Sequence, residues 1–188
     1  MACLRAPLLR LLLGASLCFS AFAGLAAAPG GDFSLTDQNG GRFDLQQLRG
    51  KVVVLLFGYT YCPDICPTEL SNLAAVFDAL QAQASQVRGV FVSLDPERDT
   101  PKVLKDYVGY FSPDLIGLTG SPQAIARVAR QYKVKYSKHA TANGGYSLDH
   151  SANLYVIDKT GKLDTVVPYG LPPEHLLRVV RSLLENKG

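Results

Sequence analysis

The segment Lys51-Val-Val-Val-Leu-Leu-Phe-Gly-Tyr-Thr-Tyr-Cys-Pro-Asp-Ile-Cys-Pro-Thr-Glu-Leu70 decides how the rest of the chain is read. Lys51 to Phe57 is a continuous apolar run rich in β-branched side chains, the pattern of a central strand covered on both faces. Gly58 ends it. From Tyr59 the chain is a loop that turns into a helix, on which Leu70, Leu73, Ala74, Phe77 and Leu80 recur as an apolar stripe. Pro67 suits the first helical turn, where a missing N–H costs nothing.

Upstream, Phe33 to Leu45 reads as two short strands around an Asn39-Gly40-Gly41 turn. Downstream, Val87 to Leu94 is a second apolar strand, followed by Asp95-Pro-Glu-Arg-Asp-Thr-Pro101. Thr100 caps the next helix and Pro101 opens it, with Val103, Leu104, Tyr107, Val108 and Phe111 as its stripe. Leu115 to Leu118 is a short strand, and Ser121-Pro122 begins a helix burying Ile125, Val128, Ala129 and Tyr132. Lys133 to Tyr136 alternates as a strand does. The polar stretch from Ser137 to Ser147, with Asn143-Gly144-Gly145 inside it, reads as an exposed loop or hairpin tip. Ala152 to Ile157 and Leu163 to Val167 flank Asp158-Lys-Thr-Gly161 as a hairpin. Pro172-Pro173 then opens a final helix with Leu176, Leu177, Val180 and Leu184 inward. Strand and helix alternate first, and a hairpin plus helix comes last. The fold class that follows is α/β, a thioredoxin-like sandwich with a mixed central sheet, an N-terminal β-hairpin and a C-terminal hairpin plus helix.

The 188 residues suit one domain with an appendage, and 47% hydrophobic against 19% charged residues supplies a core. Disordered, collagenous and disulfide-knot classes are excluded. The appendage is residues 1–31: Arg5 and Arg10, then no charge until Asp32. A basic start, an apolar middle and Ala21-Phe22-Ala23 as a cleavage site match a secretory signal peptide; an uncleaved membrane anchor is the competing reading. Either way the folded part, residues 32–188, lies across the membrane, in the periplasm or on the periplasmic face of the inner membrane if the source is bacterial. The two arginines account for two of the net +3 charges, leaving +1 and no basic block, so nucleic acid is not an expected partner.

Of four cysteines, Cys3 and Cys18 lie in the leader and read as ordinary apolar residues; Cys62 and Cys66 carry the chemistry. Four residues apart at a strand-to-helix junction, their sulfurs fall on one face. The helix N-terminus favours thiolate over thiol, and Pro63 and Pro67 stiffen the loop. In an oxidising compartment the pair can close a disulfide, although a bridge over so short a loop adds little stability. Two thiolates are an incomplete metal site. His150, just before the strand Ala152–Ile157, is the best third ligand, because in a thioredoxin-like domain that approach passes over the cysteine loop; this step rests on fold analogy. His139 and His175 read as surface residues. Two thiolates and an imidazole suit Cu(I), and Cu(II) with added oxygen ligands; zinc would want a fourth protein ligand. Asp95 and Asp99 read as a turn and as acidic groups at the next helix's start rather than as a second metal site. Asp149 is placed to orient His150 or tune its basicity.

Gly58-Tyr-Thr-Tyr-Cys-Pro-Asp-Ile-Cys-Pro-Thr-Glu-Leu70, Ser93-Leu-Asp-Pro-Glu-Arg-Asp-Thr-Pro101 and Leu148-Asp-His-Ser151, in this order, resemble the Sco/SenC family of copper-binding, cytochrome oxidase assembly proteins. The resemblance covers essentially all of residues 32–186. It implies a thioredoxin-like exported domain, often tethered by an N-terminal helix, with copper held by Cys62, Cys66 and His150. It further implies delivery of copper to, or thiol reduction at, the CuA centre of cytochrome c oxidase subunit II. Partners on this reading are that subunit, a second periplasmic copper chaperone as a donor, and the membrane through the N-terminal segment. The alternative is a thiol-disulfide reductase cycling Cys62 and Cys66, against which CxxxC rather than CxxC spacing counts. A peroxiredoxin fits poorly, because Tyr59 and Pro63 stand where that family has proline and threonine before its reactive cysteine.

Overall fold

The computed structural model describes residues 28–142 and 144–185. The leader readings, including Cys3 and Cys18, and Asn143 in the expected turn lie outside the described residues. Among those residues no helix is long and apolar enough to cross a membrane.

The apolar run forms β3 (Val52–Gly58), buried along its whole length, after the hairpin β1 (Ser34–Asp37) and β2 (Arg42–Asp44). Then come α1 (Ile65–Leu80), β4 (Val87–Ser93), α2 (Pro101–Phe111), β5 (Leu115–Thr119) and α3 (Pro122–Gln131). The chain continues through β6 (Tyr136–Ala140), β7 (Tyr146–His150), β8 (Leu154–Ile157), β9 (Leu163–Val167) and α4 (Pro173–Glu185). Seven strands form one sheet in the order β2-β1-β5-β4-β3-β8-β9. β4 runs parallel to β3 and β5, while β1, β8 and β9 pair antiparallel. This is the mixed-sheet, thioredoxin-like sandwich that the element order implies.

Alternation along β3 divides the core. Val53, Leu55 and Phe57 pack with Ile125 and Val128 of α3 and with Tyr132 just beyond it, whereas Val52, Val54 and Leu56 pack under α1, α2 and α4 through Leu70, Leu104 and Val180. The two serine/threonine caps act as read: Thr100 and Ser121 accept hydrogen bonds from the amides of Val103 and Ala124.

One local expectation is corrected and one open alternative is decided. Lys133 to Lys135 is not a strand: Lys133 takes a left-handed φ of 57° and the amide of Val134 donates to the Ala129 carbonyl, so these residues close α3. Of the two readings of the polar stretch beyond, the hairpin is the one formed: β6 and β7 pair from Tyr136↔His150 to Ala140↔Tyr146 as a separate two-stranded sheet. His150 therefore ends a strand of its own.

Register places the site. Gly58 pairs with Ser93, so β3 and β4 stop side by side, and β8 starts next to them with Leu56↔Leu154. The loop after β3, the turn after β4 and the hairpin before β8 all meet at that one end of the sheet.

Candidate metal centre

Each part of the site follows from a local cause. The loop leaves β3 held at its first carbonyl, where the amide of Leu94 donates to Gly58 O at 2.7 Å, and the amide of Cys62 donates to Tyr59 O at 3.1 Å. Its next anchor is Asp99. That carboxylate, fully buried, accepts from the Thr60 hydroxyl (2.6 Å), the Thr60 amide (3.0 Å) and the Ser93 hydroxyl (2.6 Å). α1 then starts at Ile65 after Asp64, whose side chain makes no capping bond. Pro67 falls in the first turn, where amides lack helical partners.

The amide of Cys66 points back at Cys62 Sγ, 3.4 Å away. Helix donors thus face the Cys62 sulfur, which is partly accessible, while Cys66 is 2% exposed. Gly58 makes room for the deeper thiol: a Cβ there would lie 2.6 Å from Cys66 Sγ and 2.9 Å from Phe91. His150 reaches over from the end of β7 with Nε2 3.4 Å from Cys66 Sγ. Its Nδ1 is 3.1 Å from the Ser151 carbonyl oxygen. A carbonyl only accepts, so Nδ1 carries a proton; Nε2 faces the sulfurs, donating to the Cys62 thiolate when the ring is protonated and offering its lone pair when the ring is neutral. The three donor atoms lie within 4.8 Å of one another, and this is the one such group of three or more among the described residues.

The two thiols are electrostatically unequal. A hydrogen bond from Cys66 is the main cause that lowers the Cys62 pKa to about 4; burial opposes it, and His150 and the amides of Cys66 and Asp64 add to it. Cys66 moves the other way, pushed up by its bond to Cys62, by burial and by the neighbouring thiolate charge. For His150, burial lowers the pKa, but contact with Cys62, the Ser151 carbonyl and the charges of Cys62 and Asp149 outweigh it, and the net shift is upward. Both cysteines are free thiols here; the disulfide expected of an oxidising compartment is not formed in this structure. A groove of about 430 Å³, lined by Tyr59, Cys62, Pro63, Ile65, Leu148 and His150 among others, leaves one side of the donors open.

Other sequence-singled residues fall elsewhere. Asp149 is 79% exposed and pairs with His139 at 3.1 Å, so it does not orient His150 through a hydrogen bond; the Ser151 carbonyl does that. Adjacent strand residues point to opposite faces, which is why neighbours in sequence part company here. His175 sits beside Arg178. Asp99 does not serve α2: the turn after β4 points its carboxylate inward onto Thr60 and Ser93. Asp95 does make the expected turn, its carbonyl accepting from the amides of Arg98 and Asp99, and its buried carboxylate pairs with Arg98. Sequence reasoning missed Tyr59, whose hydroxyl accepts from the Leu148 amide and whose ring stands edge-on to His150. It also missed Glu69, buried one turn beyond Cys66 and lining a small cavity with Cys66 and His150, where burial raises its pKa. The Tyr-x-Tyr flanking the first cysteine and a glutamate inside an apolar helix stripe were the available signals.

With that geometry established, the chain's relatives are informative. The SCO1/SenC family matches residues 23–185. This chain belongs to the SCO1/SenC family. An SCO2-like protein of Rickettsia conorii is 44% identical over 155 residues, 81% of this chain and 76% of its own. The mitochondrial SCO1 homolog 1 of Arabidopsis thaliana is 48% identical over 132 residues, 70% of this chain but 40% of that longer protein. Among solved members, Arabidopsis thaliana ScoI with copper bound superposes with a TM-score of 0.79 at 40% identity, covering 85% of this chain and 100% of that one. Another is described as containing a disulfide switch and as a member of the Sco family of cytochrome c oxidase assembly proteins. It has 25% identity and a TM-score of 0.65 over 82% of this chain and 92% of its own.

Proposed function

We propose that this family member is a copper metallochaperone that takes the ion on Cys62, Cys66 and His150 and assists assembly of the CuA centre of cytochrome c oxidase subunit II. The observation that carries this reading is the convergence of two sulfurs and one imidazole nitrogen within 4.8 Å beside an open groove. Copper is cargo here. Three soft or borderline donors suit Cu(I), and Cu(II) when oxygen ligands are added, while the absence of a fourth protein donor in the group disfavours structural zinc. Cys62 is already a thiolate at neutral pH, the Ser151 carbonyl turns Nε2 toward the sulfurs, and the Cys66 proton and any proton on Nε2 are given up as the metal arrives. A partner's thiolates entering through the groove can replace the three ligands one at a time. The copper-bound relative and the oxidase-assembly description of another support the assignment. On this reading residues 1–31 export the domain 32–188, cleaved or retained as an anchor, to the periplasmic side of the membrane.

A second reading, reduction of the oxidase's CuA cysteines, is favoured by the inequality of the thiols. The Cys62 thiolate would attack a partner disulfide and Cys66 would resolve the mixed disulfide, leaving Cys62–Cys66 oxidised and the partner's two thiols reduced. One competition titration tests both readings. The reduced protein should bind one Cu(I) against a chelator, and His150→Ala should weaken binding by at least about tenfold while sparing insulin reduction. Equal affinity in His150→Ala and parent would remove the histidine from the site. No Cu(I) binding by the parent, with disulfide reduction lost in Cys62→Ser, would leave the reductase reading standing.

A further inference from the structure

The metal donors come from two separate pieces of chain, the loop after β3 and the hairpin β6–β7, and one turn touches both. Asp99 holds the loop through Thr60, two residues before Cys62. Arg98 holds the hairpin: its Nη1 donates to the Tyr146 carbonyl at 3.0 Å, and its guanidinium carbon lies 3.7 Å from the centre of the Tyr146 ring. The Tyr146 hydroxyl donates to Asp95 at 2.7 Å, and Arg98 Nε is paired with the same carboxylate. Tyr146 is the first residue of β7 and His150 is the last.

Arg98 also faces the loop side. Its guanidinium carbon is 4.7 Å from the ring centre of Tyr61, which is 64% exposed, and 5.8 Å from that of Tyr59. Its Nη2 is buried without a hydrogen-bond partner. The guanidinium thus lies among three tyrosine rings, two from the cysteine loop and one from the histidine hairpin. A planar cation can stack on several aromatic faces while donating in-plane to a carbonyl and a carboxylate, which an ammonium cannot do. β6 is exposed at every residue and β7 buries Leu148 alone in the core, so the hairpin's pose relative to the sheet depends on that one apolar anchor and on such polar attachments.

We propose that the Asp95–Asp99 turn is the spacer that sets the gap between the cysteine loop and the histidine hairpin, with Arg98 as the positioning residue for His150. The inference rests on the copper-site reading above. Arg98 touches no donor atom; it acts by fixing the start of the strand that ends in the imidazole. Asp99 does the corresponding work for the thiols, so one rigid turn indexes both halves of the site.

The test is a double-mutant cycle on Cu(I) affinity, measured by chelator competition on the full, reduced chain, with Cu(I) alone as the probe. Arg98→Met should weaken binding about tenfold. Combined with His150→Ala it should add little, because the imidazole it positions is already gone. Thr60→Val acts on the other half, so its loss should multiply with that of His150→Ala. X-ray absorption of the Cu(I)-loaded proteins supplies a readout that general destabilisation does not move: the nitrogen scatterer should be lost from Arg98→Met while both sulfurs stay. Multiplicative losses for Arg98→Met and His150→Ala, with the nitrogen intact, overturn the spacer. Should Arg98→Met fail to fold, Tyr146→Phe, which removes the bond to Asp95, must show the same non-additivity, and its absence overturns the proposal equally. Failure of the copper reading is a distinct result: the parent would not bind, or His150→Ala would bind as the parent does, before any Arg98 variant is compared.

Discussion

At the scale of single residues, the site turns on how unlike its two thiols are. Cys62 is held near pKa 4 chiefly by the hydrogen bond from Cys66, and only then by His150 and the helix amides. Its thiolate fraction is therefore constant from pH 8 down to about 5, where an unperturbed cysteine would be almost wholly protonated. Carboxymethylation of the reduced protein, followed by mass spectrometry, should label Cys62 at a rate nearly flat over that range and falling below about pH 4, with buried Cys66 spared. Cys66→Ala should move the midpoint up further than His150→Ala does, since it removes the larger cause. The opposite order would place the imidazole, rather than the second thiol, in charge of the nucleophile. Cys62 and Cys66 stood out because cysteine is rare beyond the leader and their spacing has a chemical meaning, whereas His150 was reached through fold analogy; the structure brings the three side chains together. Asp149 bears on His150 through its charge and not through a hydrogen bond, because adjacency along a strand means opposite faces.

At the scale of elements, legibility followed burial. β3 and β4 announced themselves by continuous apolar runs, and α2 and α3 by Ser/Thr-Pro starts whose caps form as expected. β6 carries Tyr-Ser-Lys-His-Ala with no residue buried, so no apolar period marks it, and its pairing with β7 rests on backbone hydrogen bonds that composition does not encode. The junction between β3 and α1 is the element-level constraint the sequence only hinted at through Gly58. Adding one methyl there brings a carbon to 2.6 Å from Cys66 Sγ and 2.9 Å from Phe91, wedging the strand end against the first helical turn. Gly58→Ala should cost about 1–3 kcal/mol in urea denaturation, as overpacking does, and should weaken Cu(I) binding as well if the helix start carries the proposed ligand Cys66. A destabilised variant with parental Cu(I) affinity would show that the loop absorbs the clash and that Cys66 is not locked to the end of β3.

At the scale of the molecule, the chain order of the sheet explains why donors 84 residues apart in sequence, Cys66 and His150, come within 3.4 Å. β3 lies between β4 and β8, so whatever leaves the ends of β3 and β4 and whatever enters β8 must share one edge. The alternation of strands and helices made the sandwich readable, and the polar stretch before β8 was open to a hairpin reading, but neither said that this hairpin would pair apart from the main sheet. Because the hairpin lies outside the main sheet, an ion bound to Cys62, Cys66 and His150 would staple a satellite element to the core and close a long loop between them. Ligand that binds only the folded state stabilises it by mass action, about 2.7 kcal/mol at a free concentration 100 times Kd, which is about 5–10 °C in Tm for a chain of this size. Thermal melts with and without Cu(I) held at that ratio by a chelator buffer should show that rise in the parent and none in Cys62→Ser. If the hairpin opens independently of the sheet, copper should slow amide exchange in the cysteine loop and in β7 while the main melting transition stays where it was. That outcome would mean the three donors assemble on the metal rather than wait for it, and the rigid end of the sheet would then account for the two cysteines alone.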